Sequence, residues 1–179
     1  MFTVVSGGSG SGKSAYAENR ILEFGSADRI YIATMMCFDE ESRKRVRRHR
    51  EMRRGKGFDT VECYLDLEHL RLEHTVAEKM HTNVLLECMS NLTANEMFDP
   101  SGSGEQAGKF ICRGIDRLLE QCDNLVVVTN EVFSDGICYD KETEKYRTLL
   151  GEINCYMASI ADEVVEVVYG IPVLLKGRK

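Results

Sequence analysis

Two short stretches hold the side chains best suited to chemistry, and both point to phosphate. The first, Gly7-Gly8-Ser9-Gly10-Ser11-Gly12-Lys13-Ser14, has the spacing G-x-x-x-x-G-K-S of a phosphate-binding loop. Its glycines free the backbone to turn successive N–H groups toward phosphate oxygens. Lys13 is placed to reach the terminal phosphates, and the Ser14 hydroxyl is a ligand for Mg²⁺. The motif carries meaning only between a strand and a helix. Phe2–Val5 is a short apolar β-type run, and AYAENRILEF after Ser14 is helix-compatible, with its positive end toward the same anion. These residues predict binding of a nucleoside triphosphate.

The second stretch, Arg43 to Lys56, reads RKRVRRHREMRRGK and packs nine cations into fourteen residues. So many like charges on one helix repel each other, and a nearby anion relieves that cost. His49 sits in the middle, where cationic neighbours favour a neutral, nucleophilic imidazole. His69, His74 and His81 have no such setting and read as surface residues. In an open parallel sheet, ligands lie beyond the carboxyl ends of the strands. Glu87, following Val84-Leu85-Leu86, therefore reads as a carboxylate that holds Mg²⁺ directly or through water. Asn130 and Glu131 follow Val126-Val127-Val128-Thr129 in the same way and could orient a substrate or a second metal-bound water. Thr34 ends another strand, where it either contacts nucleotide or caps the next turn.

Positioning these groups takes an alternation of strands and helices, and the chain supplies one. Strand-like runs fall at Arg29–Thr34, Asp59–Glu62, Asn83–Glu87, Leu125–Thr129, Glu163–Tyr169 and Val173–Lys176. Helix-like stretches fall at Phe38–Arg54, Leu65–Lys79, Ala107–Gln121 and Glu142–Ile160, and Asp99–Gly104 reads as a surface loop. The pattern predicts an α/β fold, a P-loop (RecA-like) mainly parallel sheet flanked by helices, as one domain over 1–179. The net charge of −6 argues against nucleic acid as a partner. Seven scattered cysteines without a C-x-x-C pair suggest reduced thiols rather than a zinc site. No apolar run approaches membrane-spanning length, and Met1 leads directly into the first strand. A cytoplasmic protein is expected.

The same residues, taken together, carry a resemblance. GGSGSGKS (7–14), YIAT (31–34), RVRRHREMR (45–53), TVEC (60–63), LLEC (85–88) with Asn95 beyond, VTNEV (128–132) and ADEV (161–164) occur in this order. Tyr146, Arg147, Gly151, Asn154 and the terminal GIP and LLK follow the same pattern. The chain resembles the bifunctional adenosylcobinamide kinase / adenosylcobinamide-phosphate guanylyltransferase family of cobalamin biosynthesis over nearly its whole length. The resemblance implies two reactions. A kinase moves the γ-phosphoryl of ATP or GTP to the aminopropanol hydroxyl of adenosylcobinamide. A guanylyltransferase carries GMP from GTP on a histidine to adenosylcobinamide phosphate, giving adenosylcobinamide-GDP.

Carried onto this chain, the resemblance makes His49, which precedes Arg50, the nucleophile, with Lys13 as the other catalytic residue. Nucleotide contacts are implied at Gly7 to Ser14, at Ala33, Thr34 and Met35, at Arg50, Glu51, Met52 and Arg53, and at Glu62 and Glu87. Ser14 and Glu87 are implied for Mg²⁺. A corrinoid partner and a homotrimer are also implied. The chain departs from the family pattern at Gly10, Arg54, Phe58, Phe133 to Tyr139, Thr148 and Cys155, and the later of these fall where the corrinoid is expected. Two other readings fit the residues without the resemblance. One is a P-loop kinase for another small metabolite, with His49 structural. The other is a nucleotide-binding regulator without transfer activity, against which Lys13, Ser14, His49 and Glu87 all speak.

Overall fold

The computed structural model describes residues 1–25, 27–37, 39–72, 82–134 and 136–177. Seven strands form one sheet in the order β3-β2-β4-β5-β1-β6-β7. They are β1 (Phe2–Ser6), β2 (Asp28–Ala33), β3 (Phe58–Glu62), β4 (Thr82–Glu87), β5 (Asn124–Val128), β6 (Glu163–Val168) and β7 (Ile171–Lys176). Every pairing is parallel except β6 with β7, which the tight turn at Tyr169-Gly170 makes antiparallel. The helices are α1 (Lys13–Glu23), α2 (Glu40–Arg53), α3 (Met89–Phe98), α4 (Ala107–Gln121) and α5 (Lys141–Ile160).

The central strands are buried on both faces, so they read as continuous apolar runs rather than alternating ones. Side chains still alternate sides. Val84 and Leu86 of β4 join Val4, Ile32 and Val127 against α3, α4 and α5, where Leu92, Ile111, Ile115, Leu118, Leu150 and Met157 pack. Leu85 joins Val5, Tyr31, Val126 and Val128 against Ala17 and Ile21 of α1. Helix α2 belongs to neither layer. Among its side chains whose burial is described, only Arg53 is buried.

Two elements differ from the sequence expectation. The helix expected over Leu65–Lys79 is, in its described part, one 3₁₀ turn at Leu67–His69. Asp66, at φ 57, enters that turn in the left-handed region, which breaks a continuous helix. Residues 73–81 lie outside the described residues, and with them His74 and His81. Helix α3 has no counterpart in the sequence pattern. Its Ser90, Thr93 and Glu96 are buried along with Met89 and Leu92, which blurs the apolar-polar contrast that betrays a helix.

Candidate active site

β1 delivers the chain to the phosphate loop and α1 takes it away at Lys13. Gly10 and Gly12, at φ 73 and 93, occupy the left-handed region that a side chain disfavours. A Cβ on Gly7 would stand 2.6 Å from both Ser11 Oγ and the Val167 carbonyl, so bulk is excluded there as well. The loop is braced from behind, because the Gly170 N–H donates to the Ser11 carbonyl at 2.8 Å. Lys13 Nζ donates to the Gly8 carbonyl at 3.0 Å. Burial lowers the Lys13 pKa, and Cys88 and the Glu87 carboxylate oppose that shift only in part. The Ser14 hydroxyl donates to Glu87 Oε1.

Glu87 ends β4 and is only 6% exposed. It accepts from Ser14 on Oε1 and from the Tyr31 hydroxyl on Oε2 at 3.1 Å, while His49 Nδ1 stands 3.5 Å from Oε1. Burial alone would raise the Glu87 carboxyl. The hydrogen bond and charge of His49, with the Ser14 and Tyr31 hydroxyls, outweigh it and hold the group below the usual glutamate range. His49 thus faces a carboxylate as well as the cations of its own helix, a neighbour that the sequence does not reveal. Burial, reinforced by Glu87, pushes the Tyr31 phenol up. Over the Tyr31 ring lies the Arg53 guanidinium, 3.3 Å from the centroid. Arg50 Nη2 donates to Glu62 Oε1 at 3.2 Å, tying α2 to the end of β3.

Two hollows meet at His49. A cleft of about 520 Å³ is bordered by Ser9 to Ser14 on one side and by Met35, Arg48, His49, Met52, Glu87, Asn91 and Asn130 on the other. A smaller cavity of about 80 Å³ lies beneath α2, walled by Tyr31, Ala33, Arg50, Arg53, Glu62 and Tyr64. Met35, His49, Glu87, Cys88 and Asn91 border both. Most of the residues singled out in the sequence therefore border these two adjoining hollows. Gly7, Gly8, Thr34, Glu51 and Glu131 border neither. Gly7 and Gly8 shape the loop, their carbonyls accepting from the Glu131 N–H and from the Ser11 N–H. Thr34 is fully buried and clamps the Cys88 backbone through its hydroxyl. Glu51 is exposed and lies 3.9 Å from Arg54. Glu131 is engaged in a turn with the Phe133 N–H. Asn91 and Tyr64 join the site without a signal in the sequence, and Tyr31 is marked there only as the first residue of the YIAT stretch.

Ser14 and Glu87 place two side-chain oxygens together beside the phosphate loop. Among the described residues no group of three His, Cys, Asp or Glu side chains forms a metal centre. That donor set suits an ion such as Mg²⁺, which takes one or two protein oxygens and fills its remaining positions with phosphate oxygens and water.

Comparison with known proteins shows the family. Residues 3–175 match the family described as cobinamide kinase / cobinamide phosphate guanyltransferase. The chain belongs to this family. It is 32% identical to the "Bifunctional adenosylcobalamin biosynthesis protein CobU" of Escherichia coli (strain K12), over 98% of this chain and 100% of that protein. The protein of the same description from Salmonella typhimurium is 31% identical over the same shares. Family membership makes the protein a transferase with kinase and guanylyltransferase activities in cobalamin biosynthesis. Among solved structures, an ATPase domain superposes with a TM-score of 0.57 at 11% identity, covering 99% of this chain and 77% of that one. An ATPase of a bacterial type III secretion system gives 0.54 at 13% identity, covering 92% and 50%. At such identities these two speak for the P-loop fold alone.

Proposed function

We propose that both transfers of the family run in the space around His49, with His49 as the nucleophile of the second. The observation that carries this reading is the position of His49, where the phosphate-loop cleft and the smaller cavity meet. In the kinase step the Gly7–Ser14 loop and Lys13 hold the triphosphate of ATP or GTP and neutralise charge as the γ-phosphoryl moves to the adenosylcobinamide hydroxyl. In the guanylyltransferase step a nitrogen of His49 attacks the α-phosphorus of GTP. The bond to the β-phosphate oxygen breaks, and pyrophosphate leaves with the electron pair. A phosphate oxygen of adenosylcobinamide phosphate then displaces the histidine to give adenosylcobinamide-GDP. Splitting the transfer lets each half use an activated partner.

The smaller cavity is assigned to the guanine. Glu62 accepts from its N1 and N2 donors, and Ala33, Met35, Arg50 and Arg53 enclose it, while Met52 borders the cleft. Ser14 and Glu87 would hold a Mg²⁺ ion, whose positive charge would offset the negative charge of the phosphates. We place the enzyme in the cytoplasm as a homotrimer acting on small molecules, with no nucleic-acid partner. No helix among the described residues is long and apolar enough to cross a membrane. The test is incubation with α-³²P-GTP and Mg²⁺ beside His49→Ala. Acid-labile, alkali-stable label on the wild type, absent from the variant at equal nucleotide binding, is expected. An unlabelled wild type that still binds GTP would leave a kinase or a nucleotide sensor.

A further inference from the structure

The contact between His49 and Glu87 bears on which nitrogen carries the nucleotide. An imidazole has two nitrogens, and in its neutral form one bears a proton and the other a lone pair. Glu87 is an acceptor that gathers donors. Ser14 and Tyr31 each present a hydroxyl to it, and His49 turns Nδ1, not Nε2, to within 3.5 Å of Oε1. A carboxylate has no proton to offer, so the nitrogen that faces it is the protonated one. The carboxylate is itself held in place by the hydroxyls of β2 and α1, and it lies 6% exposed at the end of a central strand. It is therefore a rigid reference for a side chain on α2, a helix that buries little else to hold it.

We infer that Glu87 is a positioning residue that keeps the proton on His49 Nδ1, so that GMP is carried on Nε2. The inference rests on the guanylyl transfer proposed above. In the step, the Nε2 lone pair forms the N–P bond while the P–O bond to pyrophosphate breaks. The Nδ1 proton stays where it is, and the positive charge that the ring acquires is met by the Glu87 carboxylate. When the acceptor oxygen attacks, the N–P bond breaks and its electron pair returns to Nε2. Orienting carboxylates play this part for other catalytic histidines, where losing the correct tautomer is costly.

The experiment uses protein labelled with ¹⁵N in its histidines. Two-dimensional ¹H–¹⁵N spectra of the imidazoles, with His49→Ala to assign the signal, read the tautomer before GTP is added. The ¹⁵N–³¹P coupling of the adduct then reads the linkage. An Nδ1–H tautomer and a phosphorus on Nε2 are expected. An Nε2–H tautomer, or phosphorus on Nδ1, overturns the inference while leaving guanylylation standing. No adduct at all overturns the guanylylation itself. Glu87→Gln keeps a carbonyl that accepts from Nδ1–H and should keep the Nε2 linkage. In Glu87→Ala the Nδ1–H preference is expected to vanish and adduct formation to fall about 10- to 100-fold, the usual cost of losing an outer partner. An unchanged tautomer in that variant would remove Glu87 from the role.

Discussion

Glu87 gathers groups from three other elements, α1, β2 and α2, and its ionisation is written into the stability of the fold. Its carboxyl lies below the ordinary glutamate value in the folded protein. A depressed carboxyl contributes stability that is complete above the unfolded value of about 4.3 and is lost as pH falls through the folded one. Melting temperatures between about pH 6 and pH 3 should therefore drop less steeply for Glu87→Gln than for the wild type. Equal slopes would mean that the three donors do not favour the ionised form. In the sequence, Glu87 is legible as a strand-end carboxylate, and its nearness to Ser14 follows from the motif. Its bonds to Tyr31 and His49 are not legible. They arise where β2 lies beside β4 in the sheet and α2 reaches the end of β4, and no spacing along the chain records that meeting. Tyr31 looks like any aromatic residue in a strand, and Asn91 lies in a helix that the pattern hides.

Among the elements, α4 can be read with the bounds it has, because Ile111, Ile115 and Leu118 recur on one face. That helix meets the 3₁₀ turn through a glycine. A Cβ on Gly114 would stand 2.8 Å from the Leu67 side chain and 3.0 Å from its backbone carbon. Gly114→Ala should cost about 1–3 kcal/mol through overpacking, despite alanine's better helix propensity. Denaturant unfolding checks the sign, and a stabilised variant would show that the turn yields freely. Helix α2 is held differently. A capping box of Asp39 and Ser42 starts it, and its hold on the fold runs through polar contacts of His49, Arg50 and Arg53, with the Lys56–Glu18 pair at 2.6 Å just beyond its end. Phosphoryl transfer needs the γ-phosphate open, whereas guanylyl transfer needs His49 at the α-phosphate. We expect α2 to shift between the two. Crystals grown without nucleotide and soaked with GTP should differ in its position, and an identical placement of 39–54 would count against the shift.

At the scale of the molecule, the sheet is protected along its middle and open at β7. Ile171, Val173 and Leu175 are 65%, 43% and 61% exposed, and Tyr169 beside them is 94% exposed. An apolar edge strand of this kind invites association. It offers a surface for the proposed trimer, and Leu175→Glu should shift the mass measured by light scattering toward the monomer. An unchanged mass would send the interface elsewhere. The phosphate loop has a second, temporal property. It precedes every strand but β1 along the chain, yet β1 lies between β5 and β6, and the loop's brace is Gly170. A chain leaves the ribosome from its N-terminus, so the nucleotide site waits for β5, β6 and Gly170 to be made before it acquires its neighbours. Nascent chains arrested before Asp162 should leave GTP unbound, and those released after Gly177 should capture it. A loop translated ahead of most of its neighbours thus becomes functional only after them.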